Sequence, residues 1–234
     1  MKIQVLADAD AVAKAGAAVL AEAARAAAQT RGRCTLALSG GRTPWVMLRA
    51  LQHEDLPWHQ VKIVQVDERV APADSPDRNL KHLRESLSST PLLPDDLYPM
   101  PVEESDLAAA AARYARTLEG LAGAPPTLDL VHLGLGPDGH TASLVPGDPV
   151  LEVTDAWVGV TGAYQQHQRM TLTYPVLNRA HAILFVVTGD EKADALLRLS
   201  RHDPTIPAGR IENQSVTVLA DEAAAARLDP AARG

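Results

Sequence analysis

The sequence predicts an open, doubly wound α/β sheet, mostly parallel, and three observations carry that prediction. Apolar runs of strand length alternate with helical patterns along the 234-residue chain, which is the signature of β-α-β units. Three of those runs end in Gly, Arg, Asp or His: Leu36 to Pro44 (LALSGGRTP), Val64 to Arg69 (VQVDER) and Val131 to Ser143 (VHLGLGPDGHTAS). In such a sheet the ligand crevice lies beyond the carboxyl ends of the strands, so the three ends are expected to meet at one site.

The elements follow in order. The stretch from Ala9 to about Gln29 is rich in alanine and places Val12, Ala15, Val19, Leu20 and Ala23 at helical spacing, which predicts a long amphipathic helix. Gly16 weakens it slightly, and Arg31-Gly32-Arg33 ends it. A strand is expected at Thr35 to Leu38, then a helix from Pro44 to Leu51, started at Thr43-Pro44 because proline suits the first helical position. Val61 to Val66 reads as the next strand, followed by a polar loop, Ala71 to Arg78, and a helix at Asn79 to Leu87. The Pro, Asp and Ser of that loop fit a surface segment able to close over a ligand. Further helices are expected at Asp106 to Leu121, from Glu191 and from Asp221. Further strands are expected at Leu128 to Leu133, Trp157 to Thr161, Met170 to Thr173, Ala182 to Val187 and Val216 to Leu219. No internal repeat or long linker divides the chain, so residues 1–234 are expected to form a single α/β domain.

Composition narrows the function. With 46% hydrophobic residues the chain is expected to bury a sizeable core without staples, and its single cysteine, Cys34, sits in the apolar run CTLAL as a buried strand residue rather than a nucleophile. No apolar run approaches the roughly 20 residues a membrane helix needs. The chain is therefore expected to be cytoplasmic, with no membrane partner. A net charge of -7 and a pI near 5.6 argue against a nucleic-acid surface. The same charge repels an anionic substrate, so any phosphate site must be a local cluster of cations and backbone N–H groups.

SGGRTP supplies such a cluster. Two glycines between a strand and a helix let backbone N–H groups approach an oxyanion, the helix N-terminus adds partial positive charge, and Ser39, Arg42 and Thr43 add donors around Gly40 and Gly41. It is not a Walker loop, since GK[ST] is absent. A rival reading is a nucleophile elbow, because Ala37-Leu38-Ser39-Gly40-Gly41 lacks only the first glycine of G-x-S-x-G and Asp138 and His140 follow in the hydrolase order. The cation just beyond the serine suits anion binding better than an acyl-enzyme.

In Asp67-Glu68-Arg69 the strand alternation puts Asp67 and Arg69 on one face and Glu68 on the other. A solvated charge cluster is the ordinary fate of such a triplet; its place at a strand end raises Asp67 and Arg69 as site residues. Gly134 to Gly139 formally matches the dinucleotide fingerprint, but it lies mid-chain, contains Pro137 and opens no helix. Its glycines are instead expected to bend the backbone so that Asp138 and His140 project into the crevice, the histidine as a general base and the aspartate orienting it or binding a sugar hydroxyl. Among the other histidines, His132 reads as a hydrogen-bonded core residue, and none forms a ligand cluster, so no metal site is expected. Arg169 and Lys192 lie at element boundaries, placed to add cations to a phosphate site.

Taken together, LALSGGRTP, VDERVAP, SPDRNL, LGLGPDGHTASLVPG, RMTLTYPVLNRA and VTGDEKADAL make the chain similar, over nearly its full length, to 6-phosphogluconolactonases and more distantly to glucosamine-6-phosphate deaminases. The resemblance implies a Rossmann-like sheet and hydrolysis of 6-phospho-D-glucono-1,5-lactone to 6-phospho-D-gluconate in the oxidative pentose phosphate pathway. It implies His140 as general base on water with Asp138 beside it, Asp67 and Arg69 in the sugar pocket, and Ser39, Gly40, Gly41, Arg42, Arg169 and Lys192 on the phosphate. No cofactor is implied, and the expected partner is a small sugar phosphate lactone, bound by a monomer or weak homo-oligomer. The chemistry is within reach of such a site, because a δ-lactone is an activated ester and a positioned base contributes about 10²–10⁴ in rate. Members of the family often carry an aromatic residue where this chain has Val145, and deaminases carry a glutamate there. A non-catalytic sugar-phosphate sensor is the remaining alternative; such regulators normally add a helix-turn-helix domain, for which the chain is expected to have no room.

Overall fold

The computed structural model describes residues 1–229. In chain order its strands are β1 (Lys2–Leu6), β2 (Cys34–Leu38), β3 (Val61–Gln65), β4 (Asp67–Arg69), β5 (Leu97–Tyr98), β6 (Leu130–Leu133), β7 (Val158–Val160), β8 (Arg169–Leu172), β9 (Ile183–Val187) and β10 (Val216–Asp221). Its α-helices are α1 (Ala9–Arg31), α2 (Arg42–Ala50), α3 (Asn79–Leu87), α4 (Leu107–Ala122), α5 (Tyr174–Arg179) and α6 (Ala193–Ser200).

Helix α1 begins where Asp8 accepts the Ala11 N–H at 2.8 Å and ends at Gly32, which takes the left-handed conformation (φ 70°). Its buried stripe is mostly alanine, so it lies close against its neighbours. A Cβ at Gly16 would come within 2.5 Å of Met47 Sδ on α2, so the residue that weakens the helix locally is the one that lets two helices touch.

Seven strands form one parallel sheet in the order β1-β10-β9-β6-β2-β3-β5. From β2 the chain steps outward through β3 and β5, then returns to β6 on the other side of β2 and steps outward the opposite way. The direction reverses between β2 and β6, and a crevice opens at their carboxyl ends. Strand alternation divides the core between the two faces. On β9, Leu184 and Val186 join the cluster under α1 and α2, while Ile183, Phe185 and Val187 join the cluster on the opposite face. Cys34 is fully buried at the start of β2, and burial, with the nearby Asp129 charge adding to it, pushes its thiol well above the usual value.

Three strands leave the main sheet. The chain bends at Val66, and β4 pairs antiparallel with β8, which pairs antiparallel with β7. The strands expected near Trp157 and Met170 therefore exist but belong to this second sheet. The short connection from Val160 to Arg169 cannot hold a crossover helix, so β7 and β8 must pair as a hairpin.

Other expectations are corrected. Helix α2 starts at Arg42, two residues before Pro44, because Gly41 serves as its N-cap; a proline in the first turn lacks only an N–H that would be orphaned anyway. No α-helix starts at Asp221. That residue ends β10, and its carboxylate accepts from the N–H groups of Gly189 and Ala224 ahead of a single 3-10 turn, Ala224–Arg227. The helix expected from Glu191 begins at Ala193, after a 3-10 turn at Asp190–Lys192. Strands β1 and β5 and helix α5, in a stretch that reads as strand-like, were not expected. Among the described residues no helix is long and apolar enough to cross a membrane.

Candidate active site

The crevice between β2 and β6 is a cavity of about 250 Å³. Ser39, Gly40, Gly41, Arg42, Thr43, Asp67, Arg69, His140, Arg169 and Lys192 all line it, and Asp138 stands directly behind His140. The site residues drawn from three strand ends and two later boundaries therefore meet in one place.

The loop after β2 forms one wall. Gly41 adopts φ 135° and ψ 162°, a conformation open in practice to glycine alone, and this turns the chain into α2 with no side chain capping its N-terminus. At Gly40 a Cβ would lie 2.2 Å from Asn79 Oδ1, so glycine is required by close approach. Thr43 Oγ1 meets Thr188 Oγ1 at 2.6 Å, which ties the first turn of α2 to the end of β9. Thr43 thus lines the cavity with its hydroxyl already engaged. The Ser39 hydroxyl donates to Asp67 Oδ1 at 3.4 Å, and the Ser39 N–H donates weakly to His132 Nδ1, also at 3.4 Å. An elbow serine takes a histidine on its hydroxyl; this one faces the Asp67 carboxylate instead.

Asp67 sits on the cavity floor, 5% exposed. Burial raises its carboxyl from the ordinary value, opposed by the Ser143 hydroxyl that donates to Oδ2 at 2.7 Å and by the nearby Arg169. Arg69 lines the cavity while donating to the Asp77 carbonyl at 2.7 Å. Glu68 is not solvated, as such a triplet would ordinarily be. It is fully buried and accepts the N–H groups of Arg69, Asn79 and Leu80, each at 2.8 Å, with Arg78 Nε at 3.3 Å. It thereby supplies the N-terminal acceptor that α3 otherwise lacks and fixes Asn79 against Gly40.

The loop after β6 presents the histidine. It closes on itself through Gly136 N–H to the His140 carbonyl (2.8 Å) and Gly139 N–H to the Gly136 carbonyl (2.9 Å). His140 Nδ1 lies 2.5 Å from Asp138 Oδ1, which leaves Nε2 as the ring nitrogen without a partner among the described residues. Partial burial disfavours the charge on Asp138. The hydrogen bonds from His140 and Tyr164 outweigh it and hold the carboxyl well below the usual carboxylate range. His132, expected to be a hydrogen-bonded core residue, is fully buried with Nε2 unpartnered, and burial drives its pKa down to about 3. It is a neutral spacer beside Ser39.

Cations surround this floor although the chain is acidic overall. Arg169 is 3% exposed, and its Nε is buried with no partner. Burial lowers the Lys192 ammonium from its ordinary value and the nearby Arg42 adds to this, while Glu191 and Asp138 work the other way. These are partly desolvated cations, with Glu191 beside Lys192 and Asp67 near Arg169, clustered in a setting suited to an anionic ligand. Sequence reasoning missed Asn79, Ser143, Glu68 as a buried pillar, and Tyr164. Asn79 carries a signal, as the residue after the loop SPDR; Tyr164 lies in a hairpin with none.

The chain matches the family model described as glucosamine-6-phosphate isomerases/6-phosphogluconolactonase over residues 7–220, and it belongs to that family. It is 37% identical to a 6-phosphogluconolactonase of Synechocystis over 86% of this chain and 87% of that one. It is 35% identical to one of Mycobacterium tuberculosis over 97% and 98%. The solved 6-phosphogluconolactonase of Trypanosoma brucei superposes with a TM-score of 0.84 at 26% identity, over 97% of this chain and 98% of that one.

Proposed function

We propose that this chain hydrolyses 6-phospho-D-glucono-1,5-lactone to 6-phospho-D-gluconate in the oxidative pentose phosphate pathway, with His140 as the general base on water. The observation that carries this reading is the pairing of His140 with Asp138 in the cavity where Arg42, Arg169 and Lys192 surround a glycine loop. The relatives named 6-phosphogluconolactonase support the substrate.

Phosphate rests on the loop Ser39 to Thr43, the N-terminus of α2 and the three cations, which sets the lactone ring over Asp67 and Arg69. Asp138 accepts from Nδ1–H and so keeps the lone pair on Nε2. Nε2 takes a proton from water as the oxygen adds to the lactone carbonyl. When the tetrahedral intermediate collapses, the ring oxygen leaves and receives that proton from the imidazolium. Collapse gives a carboxylic acid and a free hydroxyl, and the acid then loses its proton to solvent to become the carboxylate.

The deaminase reading is answered at Val145. Where a deaminase carries a glutamate to assist the loop histidine, this chain has a side chain 4% exposed that exchanges no proton. The deciding experiment offers freshly prepared lactone in a coupled assay and glucosamine 6-phosphate in an ammonia assay. Rapid lactone turnover with no measurable ammonia is expected; ammonia release rivalling lactone turnover, and lost in Asp67→Asn, would overturn the assignment.

Gly136 gives a second check. A Cβ there would lie 2.0 Å from His140 Nδ1 and 2.6 Å from Asp138 Oδ1, so Gly136→Ala must push the pair out of place. Since a displacement of about 1 Å costs up to about 10²-fold, kcat should fall at least ~10-fold with little change in KM. Unchanged steady-state constants would mean that the position of this pair is immaterial.

A further inference from the structure

Tyr164 stands against the His140–Asp138 pair from a direction that the loop after β6 does not supply. Its hydroxyl donates to Asp138 Oδ2 at 2.9 Å, the oxygen opposite the one that receives His140 Nδ1. Its ring meets the imidazole edge-on, with centroids 5.5 Å apart and planes at 67°. The Arg169 guanidinium lies 5.0 Å from the centre of the same ring. One side chain therefore touches the aspartate, the histidine and a cation of the anion site.

The hairpin between β7 and β8 delivers it. Tyr164 and His167 pair across a tight turn whose two central residues, Gln165 and Gln166, both have positive φ (49° and 71°). Two-residue hairpin turns of this hand normally use asparagine or glycine, so two glutamines hold the backbone in an unfavourable region. The hairpin is held in place at both flanks: Gln165 Oε1 accepts from Arg169 Nη2 at 3.1 Å, and His167 Nε2 lies 3.2 Å from Asp77 Oδ2. Backbone strain next to a reacting group, sustained by side-chain contacts, marks a segment whose position is functionally constrained.

We propose that Tyr164 is a positioning residue for the hydrolytic pair, holding the Asp138 carboxylate in the orientation that keeps Nε2 of His140 as the free nitrogen. The inference rests on the reading of His140 as base. A carboxylate rotates about its own bond, and both hydrogen bonds from His140, from Nδ1 and from its backbone N–H, reach the same oxygen. The Tyr164 hydroxyl fixes the second, so the acceptor presented to Nδ1–H cannot swing away. Burial, together with the hydrogen bond to Asp138 and that residue's charge, raises the phenol from its ordinary value, so it stays a donor at neutral pH.

The test is Tyr164→Phe, which keeps the ring and its contact with Arg169 and removes only the hydroxyl. One hydrogen bond to a charged group acting on an orientation should appear as a loss of about 10-fold in kcat with KM within about twofold. Asp138, with one donor fewer, directs more of its charge at the imidazole. The acid limb of the kcat/KM profile should therefore move to higher pH, which a merely structural role would not cause. In an Asp138→Asn background the same substitution should cost almost nothing further, because Tyr164 acts through that carboxylate. Tyr164→Phe with the parental kcat and an unmoved acid limb, in a background where His140→Ala is inactive, overturns the proposal and leaves the base in place. A fully active His140→Ala would instead remove the base reading on which it depends.

Discussion

His140→Ala should lower kcat about 10²-fold or more while KM changes far less, because the substitution removes the proposed proton acceptor and leaves the proposed phosphate wall intact. The size of the effect follows from how completely the imidazole is committed. Nδ1 is engaged by Asp138 at 2.5 Å, and that carboxylate is held in its ionised form by the bonds from His140 and Tyr164. Asp138 therefore remains an acceptor throughout the neutral range, and Nε2 keeps its lone pair toward the cavity. A δ-lactone needs no covalent nucleophile, so losing the base loses most of what the side chains contribute to the chemical step. Ser39→Ala separates this from the elbow reading. Its hydroxyl rests on Asp67 at 3.4 Å, so the variant should keep most of its kcat, and the parent protein should not be labelled by a serine-directed fluorophosphonate. Steady-state constants on fresh lactone for both variants decide it; a dead Ser39→Ala beside an active His140→Ala would reverse the roles.

How far the site was legible in the sequence depended on whether local rules reach it. The alternation of side chains along a strand sends Asp67 and Arg69 to one side, and both line the cavity. The same rule says nothing about what covers the other side. Glu68 would be solvated if β4 were an open edge, but α3 packs there and turns the carboxylate into the acceptor for two of its N–H groups. The glycines of the β2 loop were legible because backbone geometry is written into residue type; at Gly41 the positive φ of 135° demands glycine. Tyr164 was not legible. Its hairpin turn uses Gln165 and Gln166, which carry none of the usual turn chemistry, and it reaches Asp138 only because β7 and β8 leave the main sheet. The antiparallel sheet itself was within reach of a length argument: the segment between Val160 and Arg169 is too short for a parallel crossover.

The phosphate should carry much of the specificity, so unphosphorylated glucono-1,5-lactone is expected to have a kcat/KM lower by at least ~10³-fold. Three cations reach the cavity from three different elements, Arg42 from α2, Arg169 from β8 and Lys192 from the turn before α6. Each charge-assisted hydrogen bond is worth about 1.5–3 kcal/mol, so three of them sum to about 4.5–9 kcal/mol, above the roughly 4 kcal/mol that corresponds to 10³-fold. The surroundings of these cations favour a bound dianion. Burial and the nearby Arg42 disfavour the Lys192 ammonium against the pull of Glu191 and Asp138, while a buried Arg169 Nε has no acceptor. Supplying a dianion reverses each of these at once, whereas a neutral lactone leaves them as they stand and gains only the contacts of its ring. Arg169→Met should therefore narrow the gap between the two lactones by raising KM for the phosphorylated one, with little change for the other. Comparable kcat/KM values for the two lactones in the parent protein would mean that these cations do not read the phosphate, and the loop after β2 would then need another ligand.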